Sequence, residues 1–279
     1  MGRVRLTGAL STGPSSDSLI VIVHGLGANA EAQYMVTAAR AAQALGAASL
    51  RLNLRGADGS GEDFYHAGLH RDIELVIGSG EVSKFPNLYI LGFSVGGHVC
   101  LSWAAFGGHP RVRAVCAICP PLDLDQNVRA MDAFYAYPYR RHILLGLKPA
   151  YAAVARRRPV PLPWSQARGI SKIREWDERI VAPRWGFSSA RHYYREVSAG
   201  PKLGHITTPT LIVTARYDPM IPDGTLRESL RGRSEAVRVE SLVRGGHVSF
   251  PADIHLGVRS APRGLANQAV GWLLARATA

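Results

Sequence analysis

Leu88-Tyr-Ile-Leu-Gly-Phe-Ser-Val-Gly-Gly-His-Val99 decides the reading of this chain. Its first four residues are an apolar run of the kind that a strand buried on both faces requires, and the residues after the glycines can continue as a helix. Between them, Gly92-Phe93-Ser94-Val95-Gly96 matches G-x-S-x-G, in which a serine sits on a sharp strand-to-helix turn. The two glycines have a steric role there, because a Cβ at either position would meet neighbouring backbone, and Ser94 is lifted into a strained, exposed position. Five residues alone are a weak signal. The context on either side gives them weight.

The same strand, loop and helix unit recurs on both sides of this stretch. Upstream, Leu19-Ile-Val-Ile-Val23 is a β-branched core strand that ends in His24-Gly-Leu-Gly27 and leads to a helix over Glu31–Ala44. Ala47–Asn53 reads as the next strand, followed by the loop Leu54–Gly61 and a helix over Leu69–Ser79. Downstream, the helix after Ser94 runs to Phe106, and Val112–Cys119 is a strand closed by Pro120-Pro121. Thr210–Ala215 and Val237–Val243 read as the last two strands and Ala266–Ala275 as a terminal helix. Val4–Leu10 is a weaker strand before a polar turn, Ser11–Asp17. Such alternation predicts an α/β fold with a mostly parallel sheet flanked by helices. Residues 122–200 differ in texture, with Pro159, Pro161 and Pro163 in one loop, tryptophans at 164, 176 and 185, and nothing resembling a parallel strand. They predict a mainly helical cap inserted after the strand that follows the serine helix, with 1–121 and 201–279 forming the core.

Composition narrows the function classes. The 279 residues are 47% hydrophobic, with a mean hydropathy near zero, as expected of a soluble globular chain. No run of about 18 apolar residues exists, and Arg3 and Arg5 are not followed by an apolar block, so a cytoplasmic address is expected. Three cysteines, Cys100, Cys116 and Cys119, are too few and too apolar in setting for a disulfide framework. Cys116 and Cys119 lie three apart in a strand, which places them on opposite faces as buried structural thiols. The net charge is +12, and residues 122–200 supply +7 of it, from fourteen Arg/Lys against seven Asp/Glu. Nucleic acid is not expected as a partner, because no binding motif or aromatic-basic interleaving accompanies the charge. The basic cap, including Arg140-Arg141 and Arg156-Arg-Arg158, has two readings: a solvated arginine-rich surface, or weak contact with an anionic membrane surface or acidic substrate.

A serine hydroxyl is a poor nucleophile until a histidine takes its proton and a carboxylate fixes that histidine's tautomer. With the chain order Ser, Asp, His, the acid follows a late strand and the base comes near the end. Asp218, in Arg216-Tyr-Asp-Pro-Met-Ile-Pro222, follows Thr210–Ala215 in a loop stiffened by two prolines. His247, in Arg244-Gly-Gly-His247, follows the last strand, with glycines that let the loop turn back. The backbone N–H of Val95 and of Leu26 are the expected oxyanion donors. Asp123 is an alternative acid at the point where the cap departs. His98, one turn from Ser94, reads as a packing residue, His109 as a surface-loop residue and His24 as a structural loop residue. His66 and His70 have a metal-like spacing, but Gly68 intervenes and no third ligand is evident. The chemistry so read needs neither metal nor cofactor.

Taken together, His24-Gly-Leu-Gly27, Leu52-Asn-Leu-Arg-Gly56, Tyr65-His-Ala-Gly68, Gly92–Gly97, Ile173-Arg-Glu-Trp-Asp-Glu178, Ala182-Pro183, Tyr193-Tyr-Arg195, Tyr217-Asp-Pro219 and Gly245-Gly-His-Val248 resemble the α/β-hydrolase superfamily. Within it they resemble the AB hydrolase 4 family, the YheT-like carboxylesterases. The resemblance spans about residues 20 to 250 and implies the α/β-hydrolase fold, ester hydrolysis, and Ser94, Asp218 and His247 as the triad. It departs at the N-terminus: family members usually carry a longer leading segment and animal relatives a membrane anchor, whereas eighteen residues precede Leu19 here. The expected function is cleavage of short- to medium-chain acyl esters, with a small-molecule ester as partner. An acyltransferase or thioesterase on the same triad, or a ligand-binding protein that does not turn over, are the alternatives.

Overall fold

The computed structural model describes residues 4–12 and 17–276. Its strands are β1 (Thr7–Ser11), β2 (Ser18–Val23), β3 (Ala48–Asn53), β4 (Asn87–Phe93), β5 (Val112–Ile118), β6 (Thr210–Ala215) and β7 (Val237–Leu242). They form one sheet in the order β1-β3-β2-β4-β5-β6-β7, parallel throughout except where β1 pairs antiparallel with β3. The α/β-hydrolase fold expected from the sequence is present.

Alternation along the central strands separates the two faces of the sheet. Leu19, Val21, Val23, Leu88 and Ile90 enter one core, and Ile20, Ile22, Tyr89, Leu91 and Phe93 the other. Both sets are sealed from water, which is why these strands read as unbroken apolar runs. Helices Gln33–Ala44 and Leu265–Leu274 cover the second face. The first is covered by the elbow helix Val95–Ala105, the helix Arg71–Ile77 and the segment between β5 and β6. Edge strand β7 carries Arg238 paired with Glu240, charges that blunt an open sheet edge.

Three expectations need correction. The first strand starts at Thr7 and not Val4, because its partner ends at Asn53 and the register Thr7↔Asn53 to Ser11↔Ser49 sets its bounds. The turn expected over Ser11–Asp17 falls partly on 13–16, outside the described residues. The helix expected over Leu69–Ser79 is confined to Arg71–Ile77 and stops at Gly78. Cys119 is no strand residue: the chain leaves β5 at Ile118, Cys119 takes φ 49°, and it joins Cys116 in the same core.

Residues 122–200 contain helices Leu124–Met131, Tyr137–Ala155 and Ala190–Val197 with shorter turns, and no strand among the described residues. The first begins where Asp123 accepts the N–H of Gln126 at 3.0 Å, an N-cap. Arginines tie this segment to the loop that follows β3. Arg184 grips Asp63 through Nε at 3.1 Å and Nη2 at 2.7 Å, Arg157 donates to Gly59 and Gly61 carbonyls, and Arg158 to that of Glu62. Much of the local basic excess therefore serves as donors within the fold.

Candidate active site

The sheet order reverses direction between β2 and β4, and the loops leaving their carboxyl ends meet there, the position where open α/β sheets bind ligands. Ser94 follows β4 with φ 52° and ψ −124°. The turn is possible only because Gly92 and Gly96 lack side chains: a Cβ on Gly92 would sit 2.6 Å from Gly97 Cα, and one on Gly96 would overlap the carbonyls of Val23 and His24. Ser94 N–H donates to Ile118 O at 2.8 Å, so β5 pins the strained residue. Three non-glycine residues have positive φ among those described, Ser94, Cys119 and Val248, and all lie at this site. Strain concentrates where the loops converge.

Asp218, buried in the loop after β6, divides its two oxygens. Oδ1 accepts the N–H of Met220 at 2.8 Å and of Ile221 at 3.0 Å, and Oδ2 faces His247 Nδ1 at 2.9 Å. A carboxylate only accepts, so Nδ1 holds the proton, and the lone pair of Nε2 faces Ser94 Oγ at 3.0 Å. Gly245, at φ 125°, and Gly246 let the loop bring His247 back over the sheet. Sequence reasoning placed these three residues in one constellation, and the structure brings them together. Asp123 is occupied as a helix cap.

The loop His24–Gly27 faces Ser94 across the switch point. The Nε2 of His24 accepts the N–H of Leu54 at 3.0 Å, which leaves Nδ1–H to donate to Gly25 O at 2.8 Å. Burial pushes its pKa down to about 4, so this ring is a neutral brace. Two tyrosines hold the loop further: Tyr34 accepts the N–H of Gly25 at 3.1 Å and Tyr65 that of Gly27 at 2.6 Å. Leu26, between them, lines the same cavity as Ser94 and Val95. No spacing in the sequence marked either tyrosine as part of this loop.

That cavity holds about 480 Å³, within the usual range for small-molecule sites, and its far walls come from Leu124, Met131, Ile143, Leu147 and Trp176, between β5 and β6. Cys119, read as a plain core thiol, lies beside the triad: its Sγ, an Asp218 oxygen and a His247 nitrogen are within 4.8 Å of one another. These are the only three such atoms grouped closely enough to hold an ion among the described residues, and the Asp and His already bond each other. His66 and His70 do not converge. Both precede the helix; His66 Nδ1 accepts Gly68 N–H at 3.1 Å, while His70 stacks on Phe106 at 4.3 Å. His98 packs as expected, buried with its ring nitrogens 2.8 Å from Pro121 O and 3.1 Å from Val197 O.

The family model described as the alpha/beta hydrolase family matches residues 20–266, and the chain belongs to that family. Within it, the chain is of the YheT-like esterase type. It is 30% identical to a protein of Escherichia coli (strain K12), named provisionally as the esterase YheT, over 83% of this chain and 70% of that one. It is 22% identical to a monoacylglycerol lipase of Saccharomyces cerevisiae over 68% of this chain and 44% of that one, so it spans less than half of that relative. Est1E from Butyrivibrio proteoclasticus, solved with ferulic acid bound, superposes with a TM-score of 0.59 at 17% identity, covering 98% of this chain and 96% of that one; this likeness speaks to the fold. No helix among the described residues is long and apolar enough to cross a membrane.

Proposed function

We propose that this protein is a serine carboxylesterase acting on short- to medium-chain acyl esters through an acyl-enzyme on Ser94. The observation that carries the reading is the unbroken hydrogen-bonded chain Ser94 Oγ, His247 Nε2, His247 Nδ1, Asp218 Oδ2 at the edge of an apolar cavity. In the first half-reaction Ser94 Oγ bonds to the ester carbonyl carbon as His247 Nε2 takes its proton, and Asp218 stabilises the resulting imidazolium. The N–H groups of Leu26 and Val95 meet the negative charge on the former carbonyl oxygen, with Val95 opening the elbow helix so that its dipole points the same way. Collapse breaks the bond to the alcohol, which leaves with the proton from His247. Water then repeats the sequence on the acyl-enzyme and frees the acid. No metal or cofactor takes part.

A fluorophosphonate probe and a series of esters of graded acyl length test this reading. Wild type labels at Ser94 and hydrolyses short and medium chains, and Ser94→Ala loses both properties, turnover falling by roughly 10³-fold or more. Turnover that survives in Ser94→Ala sinks the proposal.

The reading includes weak docking of the basic cap on anionic lipid. It is supported by Phe134, Tyr135 and Tyr137, which stand exposed at the start of the cap's long helix, with Arg141 also exposed one turn on. Co-sedimentation with phosphatidylserine vesicles that vanishes as salt is raised is the expected result, and no binding even at low salt removes this element.

A further inference from the structure

One wall of the cavity departs from its apolar lining. Asp177 opens the π-helical turn Asp177–Val181, a local widening of the helix that often marks functional sites, and it lines the same cavity as Ser94. Oδ2 accepts the hydroxyl of Tyr194 at 2.7 Å, and Oδ1 has no hydrogen-bond partner among the described residues. Arg174, whose charge would favour ionisation, is itself held by Asp125 at 2.5 Å.

A carboxyl group in such a place is costly unless something satisfies it. Tyr194 uses one of its acceptor positions, and any amide oxygen would serve that tyrosine as well. Burial pushes the Asp177 carboxyl up to about 7, so at neutral pH the group is present both as donor and as acceptor. An alkyl chain satisfies neither form, and an ammonium satisfies only the ionised one. A hydroxyl satisfies both.

Resting on the esterase reading of Ser94, we propose that Asp177 is a specificity determinant that binds a hydroxyl carried by the substrate away from its ester carbonyl. The substrate class is then hydroxylated esters in preference to plain alkyl esters of equal length. Sites built to hydrogen-bond a hydroxyl discriminate strongly against analogues that lack it.

The test compares kcat/KM for alkyl esters and their terminally hydroxylated counterparts in wild type, in Asp177→Asn and in the double variant Asp177→Leu/Tyr194→Phe. The double change removes both hydrogen-bond partners and leaves no buried group unpaired. Wild type favours the hydroxylated ester about tenfold or more, the double variant brings the ratio to near parity through loss on the hydroxylated ester, and Asp177→Asn, which keeps an acceptor for Tyr194, falls between. A wild-type ratio near one, a preference unchanged in both variants, or an equal loss on both esters overturns the proposal. Thermal shift of the Ser94→Ala protein separates this from the esterase reading. A linear alkanediol raises its Tm more than the matched alkanol if Asp177 binds hydroxyl, whether or not any ester is turned over. Equal shifts, or a larger shift from the matched amine, count against it.

Discussion

Gly146, in the middle of the helix Tyr137–Ala155, rests so closely on the carbonyl oxygen of Gly27 that a Cβ there would overlap it. The contact is reciprocal, since a Cβ on Gly27 would stand 2.6 Å from the carbonyl oxygen of Ile143. The helix Tyr137–Ala155 is thus seated directly on the loop that carries the Leu26 N–H. That overlap is deep, so Gly146→Ala forces helix and loop apart by about 1 Å or more. Overpacking of this kind costs about 1–3 kcal/mol of stability, and removing one oxyanion donor costs about 10²–10³ in rate. The expected outcome is a fall in kcat of roughly 10² with only a modest drop in Tm. An enzyme destabilised but fully active would show that the loop does not depend on this helix.

Tyr65 holds the same loop from the other side. Tyr65→Phe leaves the Gly27 N–H without its 2.6 Å acceptor while keeping the ring packed edge-on against His24, 5.5 Å away. An orphaned buried donor costs about 1–3 kcal/mol, and the loop can relieve that by twisting. Ester turnover is expected to fall roughly tenfold in kcat with KM little changed, because the loss is felt at the developing oxyanion. A change confined to KM would place Tyr65 in substrate binding instead.

What was legible in the sequence follows from how each signal is encoded. The core strands were readable because burial on both faces demands continuous apolar runs such as Leu19–Val23, and Ser94 because a strained turn demands glycines at fixed offsets. Asp218 and His247 were readable from their places after late strands. Val4–Leu10 was misplaced because an edge strand's limits depend on its partner, β3, and not on its own residues. Tyr65 and Asp177 lie in stretches that carry the family resemblance, yet the roles of Tyr34, Tyr65, Cys119 and Asp177 left no local trace: each acquires its role from a backbone group or cavity remote in sequence. Cys119 was read as a strand residue because β-branched neighbours imply extended backbone, whereas the hydrogen bond from its N–H to Val213 O at 2.7 Å accompanies a left-handed turn.

That turn sets Cys119 beside Asp218 without making it reactive. Burial and the adjacent Asp218 charge both push its thiol well above the ordinary range, so it stays protonated at neutral pH and lacks the thiolate needed for alkylation. Iodoacetamide is expected to leave esterase activity of the folded protein within about twofold of the untreated sample, and to label Cys119 only after denaturation. Rapid inactivation, with label recovered on Cys119 from the native protein, would contradict this.

Acid stability gives a test in which opposing terms can be separated. His24, His66 and His98 are held neutral in the fold, with pKa values lowered by burial to about 4, about 3 and about 4, and His24 and His66 each accept a backbone N–H that protonation would break. Their contribution is whole above pH 6.5 and drains as pH falls toward about 4, because the unfolded chain takes up protons that the folded one refuses. Near pH 5 each ring removes roughly 2 kcal/mol. Asp177 acts with the opposite sign: its folded pKa is raised to about 7, so its protonated form favours the fold at low pH and that advantage is lost as pH rises from about 4 to about 7. Going from pH 7.5 to pH 5 it returns roughly 2–3 kcal/mol, leaving wild type a net loss of about 3–4 kcal/mol. Asp177→Asn removes the opposing term, so its urea midpoint falls more steeply over the same range, by the equivalent of roughly 6 kcal/mol. Parallel midpoint curves for the two proteins between pH 5 and pH 7.5 would mean that the Asp177 carboxyl titrates in the ordinary range despite its burial in the cavity.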